Sequence, residues 1–172
     1  MKKVFIAAII TLMAVGCNQP QQKENMASGK SDEMKALYEA NLATVKAAIT
    51  AFEKEDMNAY AAQTADSAIW SSPVYGDTIT SKAHWIASLK YITDNWSNLH
   101  LTDAQFLPGL DSASHEFDGS VRYYGTWNGT YSSGKETSVK FYGTYEFNKD
   151  HKIIYGSDFY DVGGLLNATK SQ

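Results

Sequence analysis

The chain has 172 residues, 44% of them hydrophobic and 20% charged, with a formal net charge of −4. That length is enough for one domain with a real core, and the mildly acidic balance supplies no basic face, so no nucleic-acid partner is expected. A single cysteine excludes a disulfide framework within the monomer and a cysteine-based zinc cluster; aromatics at 13% suit an aromatic-lined interior or a packed sheet core equally.

Met1-Lys2-Lys3 followed by VFIAAIITLMAV is a short positive region and an apolar run too short to span a bilayer comfortably. It ends in Ala14-Val15-Gly16-Cys17, which resembles the lipobox of bacterial lipoproteins. The resemblance implies a lipoprotein signal peptide over residues 1–17 with lipid on Cys17. The protein would then be anchored to a membrane of the bacterial cell envelope, on its periplasmic or surface side, without a spanning segment. The alternative is an ordinary secretory signal with an incidental cysteine. Residues 18–31 are polar, contain Pro20 and Gly29, and read as a flexible tether.

One domain is expected over residues 32–166, with 167–172 as a tail. Met34, Leu37, Tyr38, Val45, Ala48, Ile49 and Phe52 recur at three and four, predicting an amphipathic helix over 32–55 capped by Ser31 or Asp32. A short second helix follows over 57–63, then a strand over 67–72 stopped by Pro73, and a loop or small hairpin over 74–79. Thr80 or Ser81 caps a third helix reaching Asn95, with Trp85, Ile86, Leu89, Ile92 and Trp96 on one face. A strand over 98–107 ends at Pro108-Gly109.

The last third carries three strands, GSVRYYGTWNGTY, ETSVKFYGTYEFN and KIIYGSDFYD, with turn residues between them. Alternation puts Val121, Tyr123, Gly125 and Trp127 on one face, and Val139, Phe141, Gly143, Tyr145 and Phe147 on the corresponding face of the next strand. These are the apolar sets, so they face the helices. In the last strand Ile154, Gly156, Asp158 and Tyr160 share one side. Tyr155 and Phe159, if outward, expose an aromatic stripe suited to an interface. Helices first and an antiparallel sheet afterwards give an α+β class.

The order and spacing of several patterns resemble the NTF2-like superfamily, in particular its SnoaL-like members, over Asp32 to Leu166. The patterns are AAITAFEKED at 47–56, TADSAIW at 64–70, TSKAHWI at 80–86, Lys152-Ile153-Ile154 and Phe159-Tyr160-Asp161. The resemblance implies a cone: a strongly curved antiparallel β-sheet wrapped around N-terminal helices, with a pocket at the wide end. Members include isomerases, dehydratases, cyclases and epoxide hydrolases, and also non-catalytic binding and dimerising modules, so the fold does not settle function.

Carried over position by position, the ketosteroid isomerase tyrosine falls on Ala48, the general base on Ser72 and the protonated acid on Gly143. All three groups are absent, and the chain is not such an isomerase. The last-strand Asp of SnoaL-type cyclases falls on Asp158, although the His-Trp pair preceding it is Gly156-Ser157 here. If Asp158 points inward, desolvation raises its pKa as acid–base work requires; if outward, it is a solvated strand carboxylate.

Trp70 and Ser72 share the parity of the isomerase base position, so the resemblance places them on the pocket side. Tyr123, Trp127, Tyr145 and Tyr160 line a pocket or simply pack, and His84 is a satisfied helix histidine or a base. His100, His115 and His151 show no metal-ligand spacing, and there is no phosphate loop or dinucleotide fingerprint, so neither metal nor cofactor is expected. Three functions remain open. The first is a membrane-anchored module binding a small hydrophobic ligand or a protein partner, with a homodimer through the sheet face. The second is an acid–base enzyme of cyclase, isomerase or dehydratase type acting on a hydrophobic carbonyl substrate through Asp158. The third is a purely structural dimeric envelope protein.

Overall fold

The structure, a computed structural model, describes residues 21–170; the stretch expected to be a signal peptide, with Cys17, lies outside the described residues. Its elements are α1 (Gln21–Glu53), α2 (Met57–Ala62), β1 (Thr64–Ser71), β2 (Ile79–Ser81), α3 (Lys82–Asn95), β3 (Trp96–Leu110), β4 (Phe117–Tyr131), β5 (Glu136–Phe147), β6 (Ile153–Tyr160) and α4 (Val162–Thr169). The strands form one curved sheet in the order β2-β1-β6-β5-β4-β3, with α1, α2 and α3 packed on its inner face. The class is α+β, as expected. The sheet is not wholly antiparallel, because β1 lies parallel to β6 while every other neighbouring pair is antiparallel.

Local chemistry sets the joints. Glu55 takes a left-handed φ of 59° just after α1, and Asp56 caps α2 by accepting from Ala59 N at 2.9 Å. Ser81 caps α3, its Oγ accepting from His84 N at 3.4 Å. The β4–β5 hairpin turns through Gly134 at φ 85°, a conformation that favours glycine. Asn41, buried on α1, donates from Nδ2 to Gly119 O and meets His151 Nδ1 through Oδ1, both at 2.8 Å, tying α1 to the start of β4 and to the β5–β6 turn.

The expected boundaries shift in several places. α1 begins at Gln21, running through most of the stretch read as a tether. Gln, Lys, Glu, Met and Ala dominate that stretch, and these are helix formers whether or not an apolar face is present. β3 runs on through Pro108 to Leu110 rather than ending at 107. It is an edge strand, where a missing N–H costs no ladder bond, and its pairing with β4 is irregular there. A last helix, α4, was not expected at all; Asp161 caps it through Gly164 N at 2.8 Å. In β6 the inward residue at the strand's start is Ile153, not Ile154, because an irregularity pairs Phe147 with Ile153 and Glu146 with Tyr155.

Candidate functional site

The inner face of the sheet and the three helices enclose a cavity of about 500 Å³. Val45, Ala48, Ile49 and Phe52 of α1 form one wall, and the inward residues of β4 and β5 face them. Alternation explains why: Val121, Tyr123 and Tyr145 are buried, while Tyr124 on the other face is exposed. A row of rings with nearly parallel planes crosses the interior. Trp70 and Trp85 lie 6.1 Å apart, Trp85 and Tyr145 6.3 Å, Tyr145 and Tyr123 6.1 Å, and Tyr123 and Phe141 5.1 Å. Trp85, fully buried between Trp70 and Tyr145 in this row, has an Nε1 without a hydrogen-bond partner among the described residues.

Asp158 is the ionisable group at the bottom of the cavity. It sits on β6 opposite Gly143 of β5, is 6% exposed, and lines the cavity. Trp70 Nε1 donates to its Oδ2 at 2.8 Å, and the Tyr145 hydroxyl donates to its Oδ1 at 3.3 Å. Burial pushes the carboxyl up to about 7, against the pull of these two hydrogen bonds, which favour the anion. Both partners are remote in sequence, and neither is a histidine.

Around this pair lie further hydroxyls. Trp127 Nε1 donates to the Tyr123 hydroxyl at 3.2 Å, and the Tyr60 and Tyr123 hydroxyls lie beside that of Tyr145. Burial raises the phenols of Tyr60, Tyr123 and Tyr145 well above their ordinary value, with the Asp158 charge as the second cause, so all three stay neutral donors. Tyr160, next to the mouth, is raised to about 12, again by burial first. The arrangement is a proton-accepting carboxyl in an apolar cleft, backed by neutral donors.

All the residues expected at the site line this one cavity: Trp70, Ser72, His84, Tyr123, Trp127, Tyr145, Asp158 and Tyr160. They are not equivalent. Trp70, Tyr123, Tyr145 and Asp158 form the buried floor, Ser72, Trp127 and Tyr160 are half-buried, and His84 is exposed at the mouth beside Asp77. Of the positions carried over from the isomerases, Ala48 and Ser72 line the cavity. Gly143 is enclosed by rings: a Cβ there would lie 2.9 Å from Phe141 and Tyr123 and 3.2 Å from Tyr145. Tyr60 was missed; the one signal for it was an aromatic in the otherwise small-residue stretch of α2, MNAYAA. Among the described residues no cluster of His, Cys, Asp and Glu could hold a metal ion, and no helix is long and apolar enough to cross a membrane.

No family model matches the sequence, and no curated protein is recognisably similar to it. Solved structures are similar in fold. A provisionally assigned isomerase from Bacillus subtilis has a TM-score of 0.64 at 16% identity, over 79% of this chain and 99% of that one. An NTF2-like protein of unknown function from Burkholderia pseudomallei has a TM-score of 0.61 at 19% identity, over 77% and 98%. A provisionally assigned polyketide cyclase from Pseudomonas putida has a TM-score of 0.59 at 16% identity, over 74% and 96%. With its helices enclosed by a curved six-stranded sheet and its cavity between them, this chain adopts the NTF2-like fold.

Proposed function

We propose that the cavity is the active site of an acid–base enzyme acting on a small hydrophobic carbonyl compound, with Asp158 as the proton carrier. The observation that carries this reading is the Asp158 carboxyl itself, lining an apolar cavity, held by Trp70 and Tyr145, and raised to about 7 by burial. A general base near neutrality combines the required ionised fraction with useful basicity. In the proposed step the carboxylate takes a proton from the carbon next to the carbonyl. The C–H bond breaks, its electron pair passes to the carbonyl oxygen, and the buried tyrosine hydroxyls donate to the resulting enolate. Return of the proton to another carbon gives isomerisation, and attack by the enolate carbon on a second carbonyl gives cyclisation. The names given to the Bacillus and Pseudomonas structures belong to these two reaction classes and support the choice.

Deuterium exchange in heavy water tests the step without knowledge of the natural product. The protein is incubated with a panel of cyclic and open-chain ketones, and loss of the α-proton signal is followed by NMR. The expected result is exchange catalysed by the wild type and abolished in Asp158→Asn, with ketone binding retained in both. Exchange that persists in the variant rejects Asp158 as the base. The second reading, a binding site without chemistry, is favoured by one observation: both carboxylate oxygens already accept hydrogen bonds from the protein. Binding without exchange in the wild type would select it.

Two further proposals concern location and assembly. The lipobox supports a lipid anchor at Cys17 on a bacterial envelope membrane; incorporation of labelled palmitate, absent in Cys17→Ser, is the expected result. On the outer sheet face Tyr124, Tyr142 and Phe159 stack at 4.7 and 5.7 Å, and Tyr124 and Phe159 are exposed. That stripe supports a homodimer, for which light scattering should give twice the monomer mass and Tyr142→Lys the monomer mass.

A further inference from the structure

The mouth of the cavity differs in character from its floor. Val74 from the β1–β2 connection, Tyr91 from α3 and Leu166 from α4 all line the cavity, yet they are 46%, 56% and 45% exposed. They come from three separate stretches of sequence, so no single amphipathic pattern accounts for their meeting around one opening. Large apolar side chains exposed together and continuous with an apolar cleft mark a surface that something covers. Asp77 and His84, both exposed, also line the cavity, so the exposed lining holds a polar pair beside the three apolar side chains. At the other end lie the Asp158 carboxyl and the buried Tyr60 and Tyr145.

A wholly apolar ligand would set hydrocarbon against Asp158, and a compact polar one would leave the wall and rim bare. We propose that the cavity takes a single-chain amphiphile head-first. An oxygen-bearing head lies against Tyr60, Tyr145 and Asp158, and the alkyl chain leaves over Val74, Tyr91 and Leu166. This rests on reading the Asp158 cavity as the substrate site, and it narrows the substrate class from a hydrophobic carbonyl compound to a chain-bearing one. The occupant of the rim is then the substrate's own tail, whose path continues the apolar wall of the cavity.

Binding of methyl ketones with chains from hexyl to hexadecyl, read from intrinsic tryptophan fluorescence, tests the idea. Each methylene laid on apolar surface is expected to tighten binding about two- to fourfold, and the increments should continue after the cavity is full. Leu166→Ser combined with Tyr91→Ser should weaken the longest ketone at least about tenfold more than the shortest, since only the former reaches the rim. Orientation has its own readout once Trp96 and Trp127, which also line the cavity, are replaced by Phe, leaving Trp70 at the floor and Trp85 stacked against it. A ketone brominated five carbons from its carbonyl should quench their fluorescence more than one brominated at the chain end. A plateau at cavity-filling length, an equal loss across the series in the rim variant, no binding at any length, or reversed quenching each overturns the proposal. A flat series combined with loss of deuterium exchange in Asp158→Asn would reject this substrate class and leave the chemistry standing; a rising series without exchange would do the reverse.

Discussion

If Asp158 is as desolvated as its surroundings imply, it leaves a signature in stability that needs no substrate. In the folded chain its carboxyl is raised from 3.8 to about 7. Between those values the folded state holds a proton on Asp158 and the unfolded state does not. Stability therefore falls as pH rises through that window. The contribution is fully present below the unfolded value and is lost above about 7. The slope is about 1.4 kcal/mol per pH unit, so about three units give a total near 4 kcal/mol. Asp158→Asn removes the titration while keeping an oxygen for Trp70 Nε1, so the two proteins should be similar in stability near pH 4. Toward pH 8 the variant should become the more stable by about 4 kcal/mol. Urea unfolding of both proteins at each pH gives the difference directly. Asp66, Asp77 and Asp111, whose carboxyls hydrogen bonds hold below the usual range, are common to both and cancel. A difference curve flat from acid to neutral pH would refute the reasoning, because it would mean that Asp158 ionises like an ordinary surface carboxylate.

Three other changes probe the same architecture. Trp70→Phe removes the 2.8 Å donor to Oδ2; a hydrogen bond to a charge contributes roughly 1.5–3 kcal/mol, so Asp158 should titrate about one to two units higher, as measured by NMR of the labelled carboxyl. Gly156→Ala places a Cβ 2.5 Å from Cη2 of fully buried Trp85, and overpacking of this kind should cost about 1–3 kcal/mol in urea unfolding. Asn41→Ala strips two 2.8 Å hydrogen bonds and leaves the Gly119 carbonyl and the His151 ring without their partner; a loss of about 2–4 kcal/mol in the same assay is expected.

The parts of this fold that depend on period alone were legible in the chain. Alternation set the inward face of β4 and β5, because a strand facing helices must bury every second residue, whereas the side taken by Asp158 in the last strand stayed open. What escaped depends on long-range geometry. Of the two donors to Asp158, Trp70 lies 88 positions away on a strand that pairs with β6 in parallel, whereas Tyr145, 13 positions away on the inward face of β5, was within reach of alternation. No hairpin spacing signals a parallel neighbour, and a search for a histidine partner could not find an indole. A local irregularity turned Ile153 inward in place of Ile154. Tyr60 and α4 were overlooked for a different reason. Six- and eight-residue helices carry too few turns for a period to stand out, although both supply cavity-lining side chains.

Gly143 bears on what this protein can become. Its missing side chain has not left a gap waiting for an acid, since the rings of Phe141, Tyr123 and Tyr145 already occupy the approach. Gly143→Asp would have to displace aromatic neighbours belonging to the row that supports Asp158. An acid introduced here by a single substitution would thus disturb the surroundings of Asp158, the proton carrier proposed above. An acid at 143 and the present ring packing exclude each other sterically, so fitting one calls for coordinated changes at Phe141, Tyr123 and Tyr145.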